Sequence, residues 1–154
     1  MFSVYSCGSG MDIALGSYIR DYRKLLGLMQ GCDGYISISA GEGWDQPLVE
    51  AMGLGVPVLV TRNTAHEQYC DLFNSTLINC RNEIAYDGIW FTGNKGKWYP
   101  PIDFESYFFN WVVQLGGTYL TDKGKAAKRD MKGYYSLKNG ILAARLLPQL
   151  NEIK

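Results

Sequence analysis

The sequence predicts an α/β fold: a parallel sheet of about four strands with helices on both faces, followed by a C-terminal helical tail. Three observations carry this expectation. Short β-branched or apolar runs alternate with segments of helical period between Met11 and Asn79, repeating about every twenty residues, as β-α-β units do. One run, Val56–Thr61 (VPVLVT), is apolar almost throughout, the mark of a strand covered on both faces. From Glu105 onward the pattern is helical to the end.

In order, Met11–Leu15 is a short apolar run and the first expected strand. Ile19, Tyr22, Leu26 and Met29 recur at helical spacing, and Gly31 sits where a C-terminal cap belongs. Tyr35–Ser39 (YISIS) is the second strand and Gly41–Gln46 a loop. Pro47 suits the first turn of a helix, where its missing N–H costs nothing, so a short helix is expected over Pro47–Gly53. Val56–Thr61 is the third strand, Ala65–Phe73 a second short helix and Thr76–Asn79 the fourth strand. Glu83–Phe104, rich in Gly, Pro, Trp and Tyr, fits a hairpin turning at Gly93–Gly96. Helical segments follow over Phe104–Leu115, Thr121–Met131 and Tyr134–Glu152, with breaks at Gly116-Gly117 and Gly133. The whole reads as one domain: a β/α core over 11–80, an aromatic hairpin over 81–104 and helices over 105–154.

Composition excludes several functions. Apolar residues are 47% and charged residues 19% of the 154, so the chain is not of the disordered class. Fifteen basic residues balance fifteen acidic ones, which removes the global field of a nucleic-acid or anionic-membrane binder. Cys7, Cys32, Cys70 and Cys80 have no CxxC spacing, so no zinc site is expected, and scattered thiols point to the cytoplasm. No apolar run is long enough to cross a membrane, and no signal peptide opens the sequence. The sequon Asn74-Ser75-Thr76 is then a chance match.

Most motif-like fragments are bland. Gly8-Ser9-Gly10 lacks the third glycine of a dinucleotide fingerprint, since Ile13 stands there. Gly88 and Gly93 have phosphate-loop spacing, but Asn94 replaces the required lysine. Lys123, Lys125, Lys128, Arg129 and Lys132 read as a solvated helix face, and Trp90, Phe91, Trp98 and Tyr99 as packing aromatics rather than a sugar platform.

The stretch Glu42-Gly43-Trp44-Asp45-Gln46-Pro47-Leu48-Val49-Glu50 is different. It leaves the carboxyl end of a strand, where open parallel sheets bind ligands, and so does Thr61–Thr64. Glu42 falls in the loop and Glu50 in the expected first helical turn. A helix N-terminus attracts phosphate, and flanking carboxylates accept hydroxyl donors, a combination matched to a nucleotide sugar. Equally, Glu50 could only complement the helix dipole and Glu42 be solvated.

GEGWDQPLVEAMGLGVPVLVT resembles the Glu-x7-Glu region of retaining glycosyltransferases with two Rossmann-like domains (the GT-B type, family-4-like, the group of glycogen synthases and bacterial mannosyltransferases). Both acids, Gly43, Trp44, Pro47, Ala51-Met52, Gly55 and Pro57 match its wording, close to EGFGLPxxEAMAxGxPVxxT. The likeness extends over residues 11–80 and is loose over 81–154. It implies that this is the nucleotide-sugar-binding part of a transferase that passes a sugar to an acceptor with retained configuration and without a metal. Glu42 would then face the donor sugar near the reacting carbon, as the catalytic acid position. Glu50 would bind the ribose hydroxyls, and Gly43, Trp44, Asp45 and Gln46 would line sugar and phosphate, with Arg62 as a possible phosphate contact. An acceptor domain, in the same or a separate chain, would be the partner. Asp45-Gln46 depart from the common Gly-Leu, and a carboxylate beside a pyrophosphate is unfavourable unless it points to a hydroxyl. The family's leaving-group Arg and Lys have no counterpart in the matched stretch, so the chain is expected to be the later half of a donor domain. The alternatives are a non-catalytic module of the same fold, working by interaction, and a nucleotide-sugar epimerase.

Overall fold

A computed structural model of the chain describes residues 19–81, 83–85 and 96–135. The expected strand Met11–Leu15, the hairpin tip before Gly96 and the helical segment beyond Tyr135 lie outside these residues.

The α/β expectation holds. In chain order the elements are α1 (Tyr22–Gln30), β1 (Tyr35–Ser37), α2 (Gln46–Leu54), β2 (Val58–Thr61), a 3-10 turn (Thr64–Gln68) and β3 (Thr76–Ile78). After them come β4 (Glu83–Ala85), β5 (Gly96–Trp98), α3 (Phe104–Val112) and α4 (Thr118–Tyr135). β2 lies between β1 and β3, parallel to both, with Ile36 opposite Leu59 and Leu59 opposite Thr76. The described parallel sheet therefore has three strands rather than four. β4 and β5 form a separate antiparallel pair, as the hairpin reading anticipates.

Alternation along β2 explains why it reads as apolar throughout. Val58 and Val60 turn to one face, against Leu48 and Met52 of α2 and Ala127 and Met131 of α4. Leu59 turns to the other, with Ile78, Trp111 of α3 and Leu120 at the start of α4. Helices thus cover both faces, and α4 reaches from one core to the other.

Two helical expectations are corrected. Ala65–Phe73 is not a helix: the 3-10 turn ends at Gln68. The Asp71 carboxylate takes the amides of Phe73 and Asn74, the Asn74 side chain takes the amide of Asp71, and the Ser75 hydroxyl donates to the Asp71 carbonyl. These local bonds satisfy the backbone in a turn instead of a helix. Gly133 is not a break, since α4 runs through it to Tyr135. Gly116, at φ +79, does fall in the break between α3 and α4.

Where α4 crosses the start of β2, backbones touch. Gly55 ends α2 at φ +87, its N–H donating to the carbonyls of Ala51 and Met52. A Cβ on Gly124 of α4 would stand 2.3 Å from the Gly55 carbonyl oxygen. Gly124 is there for close approach, whereas a Cβ on Gly133 meets nothing within 4 Å. Gly124→Ala is therefore expected to destabilise the protein by about 1–3 kcal/mol. Gly133→Ala should be neutral or stabilising by up to about 1 kcal/mol through helix propensity. Urea midpoints of the two variants check this, and equal midpoints would show that the crossing is not the tight point.

Candidate functional site

β1 ends at Ser37 and α2 begins at Gln46, so the acid loop leaves the carboxyl end of the sheet, as expected. Its conformation is set by Asp45. This residue caps α2 in the left-handed region (φ 58, ψ 67), which few residues other than glycine, asparagine and aspartate adopt readily. The cost, about 1–3 kcal/mol, is offset by what the carboxylate gains there. Oδ1 accepts the Leu48 N–H at 3.2 Å, and Oδ2 accepts the Ser37 hydroxyl and faces His66 Nε2 at 3.0 Å.

His66 is wholly buried, in the turn after β2. Its Nδ1 lies 2.8 Å from the Thr61 carbonyl, which can only accept, so Nδ1 carries a proton. Nε2 faces the Asp45 carboxylate, so the buried ring bridges the Thr61 carbonyl and Asp45. Burial raises the Asp45 carboxyl, but the hydrogen bonds from His66, Ser37 and Leu48 outweigh it, and the net shift is downward from the usual value.

The structure thus separates residues that the sequence groups together. Asp45 turns inward, to its own protein, and does not offer its carboxylate to the loop mouth. It also uses much of the helix N-terminus. Pro47 has no N–H, Leu48 donates to the Asp45 side chain and Val49 to its carbonyl. Gln46 supplies the remaining first-turn N–H of α2.

Glu42 and Glu50 lie on either side of this cap. The Glu42 backbone N–H donates to the Thr64 hydroxyl at 2.9 Å, and that hydroxyl donates to Asn63. Asn63, nearly inaccessible, reaches back to the Ser39 carbonyl, so the loop after β1 is tied to the loop after β2. Glu50 is the fifth residue of α2 rather than part of its first turn. Its Oε1 accepts from Tyr22 at 2.9 Å and from Gln46 at 3.1 Å. The charges of Asp45, Glu42 and Glu50 all bear on the Tyr35 hydroxyl, whose pKa is raised by burial first and then by each of them. Gly43 is exposed, and Trp44 stacks 5.3 Å from the Tyr69 ring, whose hydroxyl bonds the Trp44 carbonyl. Arg62, on the neighbouring loop, is an exposed side chain paired with Glu67 at 3.3 Å.

His66 and Tyr22 are the members that the sequence reading missed, whereas Asn63 and Thr64 lie on the Thr61–Thr64 loop it placed at the same sheet edge. The signal for His66 was its being the only histidine of the chain. The basic cluster also needs correction, because Lys123 is buried and donates to the carbonyls of Leu72 and Ser75. Lys125 and Arg129 are exposed beside acidic neighbours. Cys70 is an inert thiol, pushed up to about 12 mainly by burial. Among the described residues no cluster of His, Cys, Asp and Glu could hold a metal, and no helix is long and apolar enough to cross a membrane. The chain matches no family model and no curated protein.

Because the Asp45 carboxyl is lowered in the fold, its stabilisation is complete above the unfolded-state pKa and disappears as pH falls through the folded one. Asp45→Asn should flatten the acidic limb of a plot of stability against pH and lower stability near pH 7. An unchanged acidic limb in urea titrations of the variant would show that the pair carries no linkage.

Proposed function

We propose that the chain is the donor-binding part of a retaining glycosyltransferase, taking a nucleotide sugar between the acid loop and α2. The observation that carries this reading is the placement of two carboxylates, Glu42 and Glu50, around one loop at the carboxyl edge of a parallel sheet. Glu50 fits a ribose contact: among the described residues its donors, Tyr22 and Gln46, both end on Oε1, which leaves Oε2 for hydroxyls. Glu42 has its backbone fixed by Thr64 and its carboxylate in the loop, suited to the hydroxyls of a sugar. Position 45 adds support, because its left-handed backbone suits glycine, the residue common there in the resembling family. Gly43, Trp44 and Gln46 complete the lining in this reading. Arg62 would have to leave Glu67 to meet a phosphate. An acceptor domain, in this or another chain, belongs to the same proposal, as does a cytoplasmic setting.

Asp45 favours a second reading. By occupying the N-terminus of α2 it removes most of the donors a diphosphate would use, as fits a non-catalytic module that keeps the fold and works through an interaction.

The two readings part on titration of uridine, guanosine and adenosine diphosphates and their glucose or mannose conjugates, followed by amide shifts. Donor binding predicts shifts over residues 41–50 with a dissociation constant of high micromolar or weaker, about −5 kcal/mol or less. Silence at millimolar ligand would overturn it. Glu50→Ala should weaken diphosphate and sugar conjugate alike, whereas Glu42→Gln should spare the diphosphate and weaken the conjugate. Equal effects of both changes on both ligands would refute the two roles.

A further inference from the structure

A cleft lies at the end of the sheet opposite the acid loop. It has a volume of about 470 Å³ and opens between α3 and the start of α4, with Thr76, the first residue of β3, at its base. Tyr107, Asn110 and Trp111 of α3, with Gln114 in the turn after it, line the cleft from one side. Tyr119 stands on the other side, in the first turn of α4. The acid loop leaves the carboxyl end of β1, whereas this cleft is at the amino ends of the strands. Trp111 marks that end, because a Cβ on Gly34, just before β1, would stand 2.2 Å from its indole ring.

Two polar atoms there are buried and have no hydrogen-bond partner among the described residues: the Thr76 hydroxyl and the Trp111 indole N–H. Trp111 is 97% buried, so water does not compensate its N–H from the bulk side. Native proteins rarely leave such groups unsatisfied, and both belong to residues that line this cleft. Leu59 lies directly between Ile36 and Thr76 in register, on the face that Trp111 covers, so neither atom has a polar neighbour in the sheet to turn to.

The lining chemistry selects a ligand class. Every lining residue is uncharged, and apart from the apolar Leu120 they carry hydroxyls, carboxamides or aromatic rings. Lys123 lies 5.1 Å from the Tyr119 ring centroid but is committed to two backbone carbonyls. A phosphate or carboxylate would be desolvated there without a counter-charge. Neutral hydroxyls fit: they donate to the Asn110 and Gln114 carboxamides, accept from the indole N–H, and present C–H faces to tyrosine rings. The volume is within the range of small-molecule sites. We propose that this cleft is a binding site for a neutral saccharide, separate from the acid loop and independent of any donor chemistry there.

The test is titration of the full chain with maltose, read on the Trp111 indole N–H resonance and on the amides of Ser106–Gln114. The expected result is saturable shifts at these positions with millimolar affinity, and none over residues 41–50. Asn110 and Gln114 are exposed, so Asn110→Ala and Gln114→Ala should leave the circular dichroism spectrum unchanged. Each should weaken maltose roughly fivefold, the equivalent of one lost hydrogen bond. Glucose 6-phosphate should bind more weakly than glucose. No shift at tens of millimolar maltose overturns the proposal, as do shifts confined to the acid loop. Binding of glucose 6-phosphate as tight as that of glucose would overturn the neutral class, and adenosine displacing maltose would show a base-stacking cleft instead.

Discussion

The carboxylate of Asp45 is the group on which the carboxyl edge of this sheet depends. It joins three pieces of chain that sequence keeps apart: Ser37 at the end of β1, the first turn of α2, and His66 after β2. Each bond is charge-assisted or involves a backbone N–H that would otherwise be an orphan of the helix end. Burying an ionised carboxylate brings a desolvation cost, repaid only when its lone pairs find partners. Here they do: Oδ1 has an amide, Oδ2 a hydroxyl and an imidazole, and the far imidazole nitrogen a carbonyl. The left-handed backbone at Asp45 is held by that completeness, and the directions in which Glu42 and Glu50 leave follow from it.

A second layer of constraint comes from α4. Through Gly124 it lies against the backbone of Gly55, and through Lys123 it reaches the carbonyls of Leu72 and Ser75. The acid loop is thus built on α2, whose far end is clamped by a helix contributed from late in the chain. The two cores on either side of β2 meet in that same helix, in Leu120 on one side and Ala127 on the other.

Much of this was legible in the sequence and some could not be. The strands at Tyr35 and Val58, the helix after Pro47 and the break at Gly116-Gly117 follow from period and punctuation alone. The helix expected over Ala65–Phe73 failed because periodicity does not register the competing side chains of Asp71, Asn74 and Ser75. Gly133 was overweighted: one glycine costs a helix only about 1 kcal/mol, less than the packing of Ala127 and Met131 returns. At the site, the position of both glutamates was readable, but the inward turn of Asp45 was not. It requires His66, which lies 21 residues away and in sequence carries no sign of its burial. Lys123 looked like part of a solvated stripe because a buried ammonium is recognisable only by the carbonyls it meets.

Lys123 has a topological consequence. Its ammonium closes a loop of 51 residues to the Leu72 carbonyl, so the turn leading into β3 is completed by a group that arrives only after the whole β4, β5 and α3 region has been traversed. The entropy of closing such a loop must be met before the contact returns anything. The edge strand and the last described helix then form one cooperative unit. Neither can open alone, because parting them strands a charged amine in the interior and strips two carbonyls at once. A protein with so long-range a polar contact at the sheet's edge resists fraying where open sheets are ordinarily weakest.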